Sequence, residues 1–193
     1  MSKSRLEAFS DGVIAILITI MVLELKVPEG SGLEAIRVLL PKFLTYVLSF
    51  IFLAIYWNNH HHMLHLTEGV NGKILWANFH LLFWLSIVPI VTGWMGENHL
   101  APLPVAVYGV VLLFDAISYT ILQQAIVSYQ GEHSKLRVAV GRDRKGKLSI
   151  LLYIIAISTA YIDQWISIGI YILVACIWLI PDPRIERMYA HRD

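Results

Sequence analysis

The first apolar run of the chain, residues 6–25, reads Leu-Glu-Ala-Phe-Ser-Asp-Gly-Val-Ile-Ala-Ile-Leu-Ile-Thr-Ile-Met-Val-Leu-Glu-Leu. Between Gly12 and Leu23 it contains no charged residue. A helix that crosses a bilayer needs about 20 mostly apolar residues, at a rise of about 1.5 Å each. We therefore predict that this run, Leu6–Leu25, forms a membrane-spanning helix.

Five further apolar runs predict helices of the same kind. They cover Leu33–Asn59, Lys73–Met95, Pro102–Tyr129, Leu148–Ile162 and Gln164–Ile180, with Pro181, Asp182 and Pro183 ending the last. A histidine-rich turn is expected after Asn59, and an exposed polar loop over Gln130–Lys147. The sequence thus predicts an all-α membrane protein with six transmembrane helices, folded as a single domain over residues 1–193.

The composition excludes most soluble functions. Of the 193 residues, 57% are hydrophobic and 15% charged, and the formal net charge is +1, so no basic field is available for nucleic acid. The single cysteine, Cys176, cannot build a disulfide framework within one chain. No Gly-rich phosphate loop and no convincing nucleophile, base and orienting residue occur, so we expect neither an enzyme nor a bound cofactor.

The basic residues predict the orientation of the chain in the membrane. Those near the N-terminus, in the second and fourth loops and in the C-terminal tail should all lie on one side, because positive segments stay in the cytoplasm. They are Lys3, Arg5, Lys73, Lys135, Arg137, Arg142, Arg144, Lys145, Lys147, Arg184, Arg187 and Arg192. We expect a multi-pass protein of the cell membrane with both termini cytoplasmic.

An apolar stripe runs along the first helix. At 100° per residue, its members all fall within about 60° of Ile16. They are Phe9, Gly12, Ile16, Thr19, Ile20 and Leu23. Such a stripe commonly packs against another helix or faces lipid, and its periodicity alone does not favour another role.

Asp11 points about 140° away from Ile16 on the same helix. A carboxylate this close to the membrane is costly unless a partner satisfies it. Candidate partners at matching depth are Arg5, Ser10, Trp57, Asn59, His60, His61 and Asn78. We infer a buried polar network that fixes the orientation of the inner end of this helix.

These residues resemble a known family. Arg5, the Phe-Ser-Asp-Gly-Val run at Phe9–Val13, Thr19 and the Leu-Glu-Leu run at Leu23–Leu25 are similar to the signature of the transmembrane protein 175 potassium channels in their single-repeat prokaryotic form. The stretch Tyr56–His61 and the closing Trp178–Asp182 also fit that pattern. The resemblance extends over nearly the whole chain.

The resemblance implies a potassium-selective channel in which four identical subunits surround a central pore lined by their first helices. It assigns the pore constriction to Ile16, Thr19, Ile20 and Leu23, and a supporting network to Arg5, Phe9, Ser10, Asp11, Trp57, His60, His61 and Asn78. Potassium ions and the bilayer are then the partners of the homotetramer. Rings of Ile and Leu would form a hydrophobic gate that closes by dewetting and selects by ion dehydration.

Other interpretations stay open at this point. His61 and His65 have metal-ligand spacing, but an interfacial polar cap or a proton sensor fits them as well. Asp115 is expected to pack against Ser118 and Tyr119, or else to relay protons. A proton-coupled cation transporter using Asp11, Asp115 and the histidines is the main alternative function, and a membrane enzyme or assembly factor is a third.

Overall fold

The chain is described by a computed structural model that covers residues 2–28, 30–131, 134–141 and 143–179. Within these ranges it is all-α, as predicted, and contains no strand. The helices are α1 (Lys3–Leu23), α2 (Leu33–His65), α3 (Gly72–Glu97), α4 (Pro102–Gln130), α5 (Lys135–Val140), α6 (Arg144–Thr159) and α7 (Gln164–Leu179). A helix therefore forms at each of the six predicted segments.

The helices differ in length. Helices α1 to α4 are long and apolar enough to cross a membrane, whereas α7 is apolar but shorter. With 33 residues, α2 is about 50 Å long and exceeds the hydrocarbon core of about 30 Å. Helices α6 and α7 have 16 residues each, which gives about 24 Å.

Two expectations about the connecting segments are wrong. The histidine-rich segment is not a turn, because α2 continues through it to His65. The side chain of Lys3 donates to the carbonyl oxygen of His65 at 2.7 Å, which satisfies one of the free carbonyls at the end of α2. The segment Gln130–Lys147 is not a continuous loop, since it contains α5 and the first turn of α6. Ser134 caps α5 by accepting a hydrogen bond from the backbone N–H of Arg137.

The predicted end of the last helix at Pro181, Asp182 and Pro183 lies outside the described residues. The same holds for Arg142 and for the tail residues Arg184, Arg187 and Arg192, on which part of the predicted orientation depends.

Helix α3 lies at the centre of the bundle and packs against α1, α2 and α4, while α4 also packs against α6 and α7. The buried face of α3 carries Leu81, Leu82, Leu85 and Val88, while Trp76, Phe83 and Ile90 on the opposite face are exposed. The core formed in this way gives α1 a fixed surface on which to pack.

Buried hydroxyl groups join the helices of the core. The Ser49 hydroxyl of α2 lies 2.7 Å from the Thr92 hydroxyl of α3 and 3.0 Å from the Tyr108 hydroxyl of α4. The Tyr171 hydroxyl of α7 donates to the carbonyl oxygen of Val105 at 3.0 Å. Tyr171 approaches α4 at Gly109, where a Cβ atom would collide with its hydroxyl group. These contacts fix the spacing of the helices behind α1.

Candidate functional site

Helix α1 packs on the bundle with one face only. That face carries the buried residues Leu6, Ser10, Ile14, Leu17 and Met21. They recur every three or four residues, the spacing that places side chains on one side of a helix. The stripe predicted from the sequence points elsewhere.

The stripe residues are exposed on the surface of the subunit. Ile16 keeps 57% of its surface, Ile20 41% and Leu23 79%. Thr19 is exposed as well, and its hydroxyl donates to the carbonyl oxygen of Ile16 at 2.8 Å. Nothing lies within 4 Å of the position where Gly12 would carry a Cβ atom. Among the described residues, no helix covers the stripe from Gly12 to Leu23.

Phe9, at the N-terminal end of the stripe, connects it to α3. It is 49% exposed, and its ring meets the edge of Phe79 with 5.8 Å between the ring centroids. Phe79 was not anticipated from the sequence. Edge-to-face pairs of this kind contribute about 0.5–1.5 kcal/mol beyond the area that they bury, so Phe9 is an anchor as well as a stripe residue.

A fully buried chain of polar groups joins α1, α3 and α2. The Asn78 Nδ2 donates to the Ser10 hydroxyl at 3.0 Å, and that hydroxyl donates to the carbonyl oxygen of Leu6 at 2.9 Å. The Asn78 Oδ1 lies 2.7 Å from Nε2 of His60. Because Nδ2 of Asn78 is directed at Ser10, its Oδ1 must accept, and the His60 Nε2 must carry the hydrogen. Three helices are thereby held by one directional chain.

A second layer of contacts lies nearer the surface of the same end. The Trp57 Nε1 donates to Oδ1 of Asp11 at 3.0 Å. The Nδ1 of His61 lies 3.1 Å from Oε1 of Glu7, and the His61 ring stacks on Trp57. The sequence did not identify Glu7 as part of this network, although Glu7 lies one helical turn before Asp11 and therefore on the same side of α1. Both acids of this end of α1 contact residues of α2.

Not every predicted residue joins these contacts. Arg5 is exposed and makes no hydrogen bond or ion pair with another described residue. The Asn59 side chain donates to the carbonyl oxygen of Ile55 within α2, at 2.8 Å. Among the residues that the structure covers, no group of three or more His, Cys, Asp or Glu side chains is placed to hold a metal ion.

The expected partners of the Asp115 carboxyl are wrong. Ser118 donates instead to the backbone carbonyl oxygen of Asp115, and the Tyr119 hydroxyl donates to the carbonyl oxygen of Asn59. A serine in a helix commonly bonds back to its own helix in this way, because the carbonyl three or four residues earlier is closer than any side chain.

The fold and this site define a class of protein. Four helices are long and apolar enough to span a bilayer, and a buried polar chain joins three of them. These features characterise a multi-pass helical membrane protein. A family model described as "Endosomal/lysosomal potassium channel TMEM175" matches residues 5–89, which contain the stripe and both layers of polar contacts.

Known proteins resemble the chain over nearly its full length. A potassium channel from Chryseobacterium sp. (strain P1-3) is 57% identical over 187 residues, which cover 97% of each chain. A potassium channel from Chamaesiphon minutus is 28% identical over 186 residues, covering 89% of this chain and 90% of that one. The crystal structure of a lysosomal potassium-selective channel TMEM175 homolog from Chamaesiphon minutus matches with a TM-score of 0.80 and 27% identity, over 92% of this chain and 96% of that chain.

The chain belongs to the TMEM175 family and groups with its prokaryotic members. This confirms the resemblance found in the sequence. This is a family of ion channels and not of enzymes.

Proposed function

We propose that this protein is a potassium channel in which four copies surround a central pore lined by α1. Membership of the family supports the function, since two relatives are named potassium channels and the matching crystal structure is described as potassium-selective. The observation that carries the proposal is the uncharged stripe of α1, which its own subunit leaves exposed.

The constriction of the pore is formed by Ile16, Thr19, Ile20 and Leu23. Rings of Ile and Leu side chains form a hydrophobic constriction that water leaves readily. The pore can therefore close by dewetting, without a side chain that blocks it completely. A permeating ion must lose part of its hydration shell there. Potassium holds its water less tightly than sodium, and the Thr19 oxygen offers a partial replacement, so the neck favours potassium.

The polar contacts behind α1 hold it in the orientation that this pore requires. Ser10 and Asn78 form the buried layer with His60, and Asp11 pairs with Trp57 nearer the surface. If α1 rotated by half a turn, it would bury the stripe and expose Ser10. Losing the directional bonds opposes that rotation, and the stripe therefore stays turned away from the bundle.

Helices α6 and α7 serve as the fifth and sixth membrane spans. At about 24 Å each they are shorter than the hydrocarbon core of about 30 Å, a mismatch that local thinning of the bilayer accommodates at modest cost. They pack as a hairpin, in which the Ser167 hydroxyl donates to the carbonyl oxygen of Ala156 at 2.6 Å and the Trp178 Nε1 to the Ser149 hydroxyl at 2.8 Å. Six spans in a single domain place both termini on the same side of the cell membrane. The basic residues Lys3, Arg5 and Lys73 favour the cytoplasm for that side.

Ion flux through liposomes containing the purified protein tests this function. We expect potassium efflux that reverses when the gradient is reversed and that exceeds sodium efflux under matched gradients. Stoichiometric coupling of potassium movement to protons would establish the transporter alternative, and no flux above that of empty liposomes would refute both. Native mass spectrometry of the same preparation should give the mass of four chains.

A further inference from the structure

The Asp115 carboxyl group occupies an unusual position in the middle of α4. It lies 13 residues after the start of the helix at Pro102, which is about 20 Å along the axis. The residue is completely buried, and neither carboxyl oxygen has a hydrogen-bond partner among the described residues. Buried polar groups without a partner are rare in folded proteins, so this one requires an explanation.

Three of the titratable groups near Asp115 in the described part of the chain are phenols. Tyr56 of α2, Tyr153 of α6 and Tyr108 of α4 itself are close enough to interact with it electrostatically. From α7, Tyr171 packs against Tyr108 and Tyr153 rather than against the acid.

Helix α3 turns other groups toward this part of α4. It presents Trp84, stacked on Phe114, and its His80 bonds to Trp84 on the exposed side. The ion pairs Arg37–Glu34 and Lys42–Glu97 and the contact of His61 with Glu7 do not involve Asp115. Among the described residues, no basic side chain forms a hydrogen bond with either oxygen of the carboxyl group.

An ionised carboxylate in this environment is unfavourable in free energy. Removing such a charge from water without a partner costs several kcal/mol even after the protein relaxes. A bound metal cation would need several ligands, and no group of three or more His, Cys, Asp or Glu side chains in the described residues is placed to supply them. A proton neutralises the charge without any further ligand.

A cavity connects the surroundings of Asp115 to the end of the bundle that carries the histidine-rich segment. It measures about 30 Å³, and its lining includes Tyr56 and Tyr153, the two phenols that face the acid from α2 and α6. It extends to Asn59 near the end of α2 and to Asp143 at the start of α6. Since a water molecule needs about 10–15 Å³ by this measure, the cavity has room for about two. Asp115 itself does not line the cavity, but its neighbour Ala116 does. Because no phenol hydroxyl of the described residues bonds to the carboxyl group, the proton reaches it from water in the cavity.

We propose that Asp115 is a proton-binding site inside each subunit, separate from the α1 stripe and supplied through the cavity between α2, α4 and α6. The proton adds to one carboxyl oxygen and leaves by the same route, so no other group changes its charge. With the proton bound, the Asp115 side chain places no charge in the packing of α2, α4 and α6. Release of the proton places a negative charge at the centre of that packing.

Infrared spectroscopy of the full-length protein in liposomes at pH 7 tests this proposal. The spectrum of the unchanged protein minus that of Asp115→Asn should contain the carbonyl stretch of a protonated carboxyl group, and the band should shift in deuterium oxide. The matched control is Asp163→Asn, which changes an exposed acid at the start of α7 and should leave the band in place. A band that persists unchanged in Asp115→Asn would overturn the proposal.

A second variant covers the case in which Asp115→Asn does not fold. Asp115→Glu keeps a carboxyl group at this position and should retain the band at a shifted frequency. A band with the original frequency in Asp115→Glu would belong to another residue and would overturn the proposal. So would a carboxylate stretch of Asp115 that responds to potassium concentration, because the site would then bind a metal cation in place of a proton.

Discussion

The indole Nε1 of Trp57 lies 3.0 Å from Oδ1 of Asp11 and donates a hydrogen bond to it. Asp11 belongs to the N-terminal half of α1, and Trp57 to the C-terminal part of α2. The bond therefore joins the helix that carries the exposed stripe to a helix of the surrounding bundle. Its contribution can be measured because the indole can be replaced by a ring without an N–H group.

Trp57→Phe should lower the free energy of unfolding by about 1–2 kcal/mol, because it removes a hydrogen bond to a carboxylate while keeping an aromatic ring. The measurement is thermal unfolding in detergent, followed by circular dichroism. Trp165→Phe is the matched control, since Trp165 is 61% exposed and makes no side-chain hydrogen bond with a described residue. Equal stability of the two variants would contradict the assigned role of the bond.

Asn78→Leu should be more damaging, with a loss of about 2–4 kcal/mol. It leaves the His60 Nε2–H and the Ser10 hydroxyl without their partner in a fully buried place. Asn98→Leu serves as the control because Asn98 is exposed and its amide bonds only to the Trp94 carbonyl of its own helix. Chemical denaturation monitored by tryptophan fluorescence would compare the two, and a loss below about 0.5 kcal/mol for Asn78→Leu would count against the buried chain.

Ile16→Asn and Leu23→Asn should increase the resting potassium leak several-fold and reduce the preference for potassium over sodium. An amide group holds water in a neck that otherwise dries. Val22→Asn is the control, because Val22 is also exposed on α1, at 45%, but lies about 120° away from Ile16. Currents recorded in planar bilayers measure the potassium leak and the preference for potassium in each variant. If all three variants behaved alike, the stripe would not line the pore.

Thr19→Val should reduce the preference for potassium without increasing the leak. The substitution keeps the branched shape and removes the one hydroxyl oxygen of the stripe, so the neck becomes drier and offers the ion no ligand. Reversal potentials under potassium and sodium gradients provide the measurement. An unchanged reversal potential would mean that Thr19 only bonds to its own helix, as it does with the Ile16 carbonyl.

Gly96→Ala should destabilise the contact between α2 and α3 by about 1–3 kcal/mol. A Cβ atom at Gly96 would lie 2.7 Å from the Thr45 hydroxyl oxygen and 2.9 Å from the Cα atom of Lys42, and the backbone atom cannot move aside cheaply. Gly72→Ala is the control for the effect of a glycine-to-alanine change without a steric clash, because a Cβ atom there meets no described atom within 4 Å. Thermal unfolding should separate the two variants, and a tolerated Gly96→Ala would show that the helices are not so closely packed.

Much of α1 could be predicted from the sequence, because the period of its side chains places Ile16 and Leu23 on one face and Asp11 on another. The pairing of Asp11 with Trp57 followed from their similar depth in the membrane. The contact of Glu7 with His61 did not, because a charged residue in the first turn of a helix looks like any other polar residue at a helix end. The resemblance to the family, and not periodicity, gave the stripe a function.

The remaining errors have local physical causes. The histidine-rich segment was predicted to be a turn because its residues are polar, yet a helix that extends beyond the hydrocarbon core can be polar and regular. The Asp115 carboxyl was given local partners because Ser118 and Tyr119 are near in sequence. Those hydroxyls bond to backbone carbonyls instead, and sequence spacing does not determine which acceptor a hydroxyl selects.

The side-chain hydrogen bonds and the ion pair that join α1 to α2 start at Lys3, Glu7 and Asp11. The side-chain hydrogen bond between α1 and α3 in the described residues involves Ser10. Beyond Asp11, the contacts of α1 with its own bundle through Ile14, Leu17 and Met21 are apolar, and such contacts have no preferred direction. Because its directional contacts lie at the N-terminal end, α1 can tilt about that end. Leu23 lies about 18 Å from Asp11 along the axis and Ile16 about 7.5 Å, so a given tilt displaces Leu23 more than twice as far.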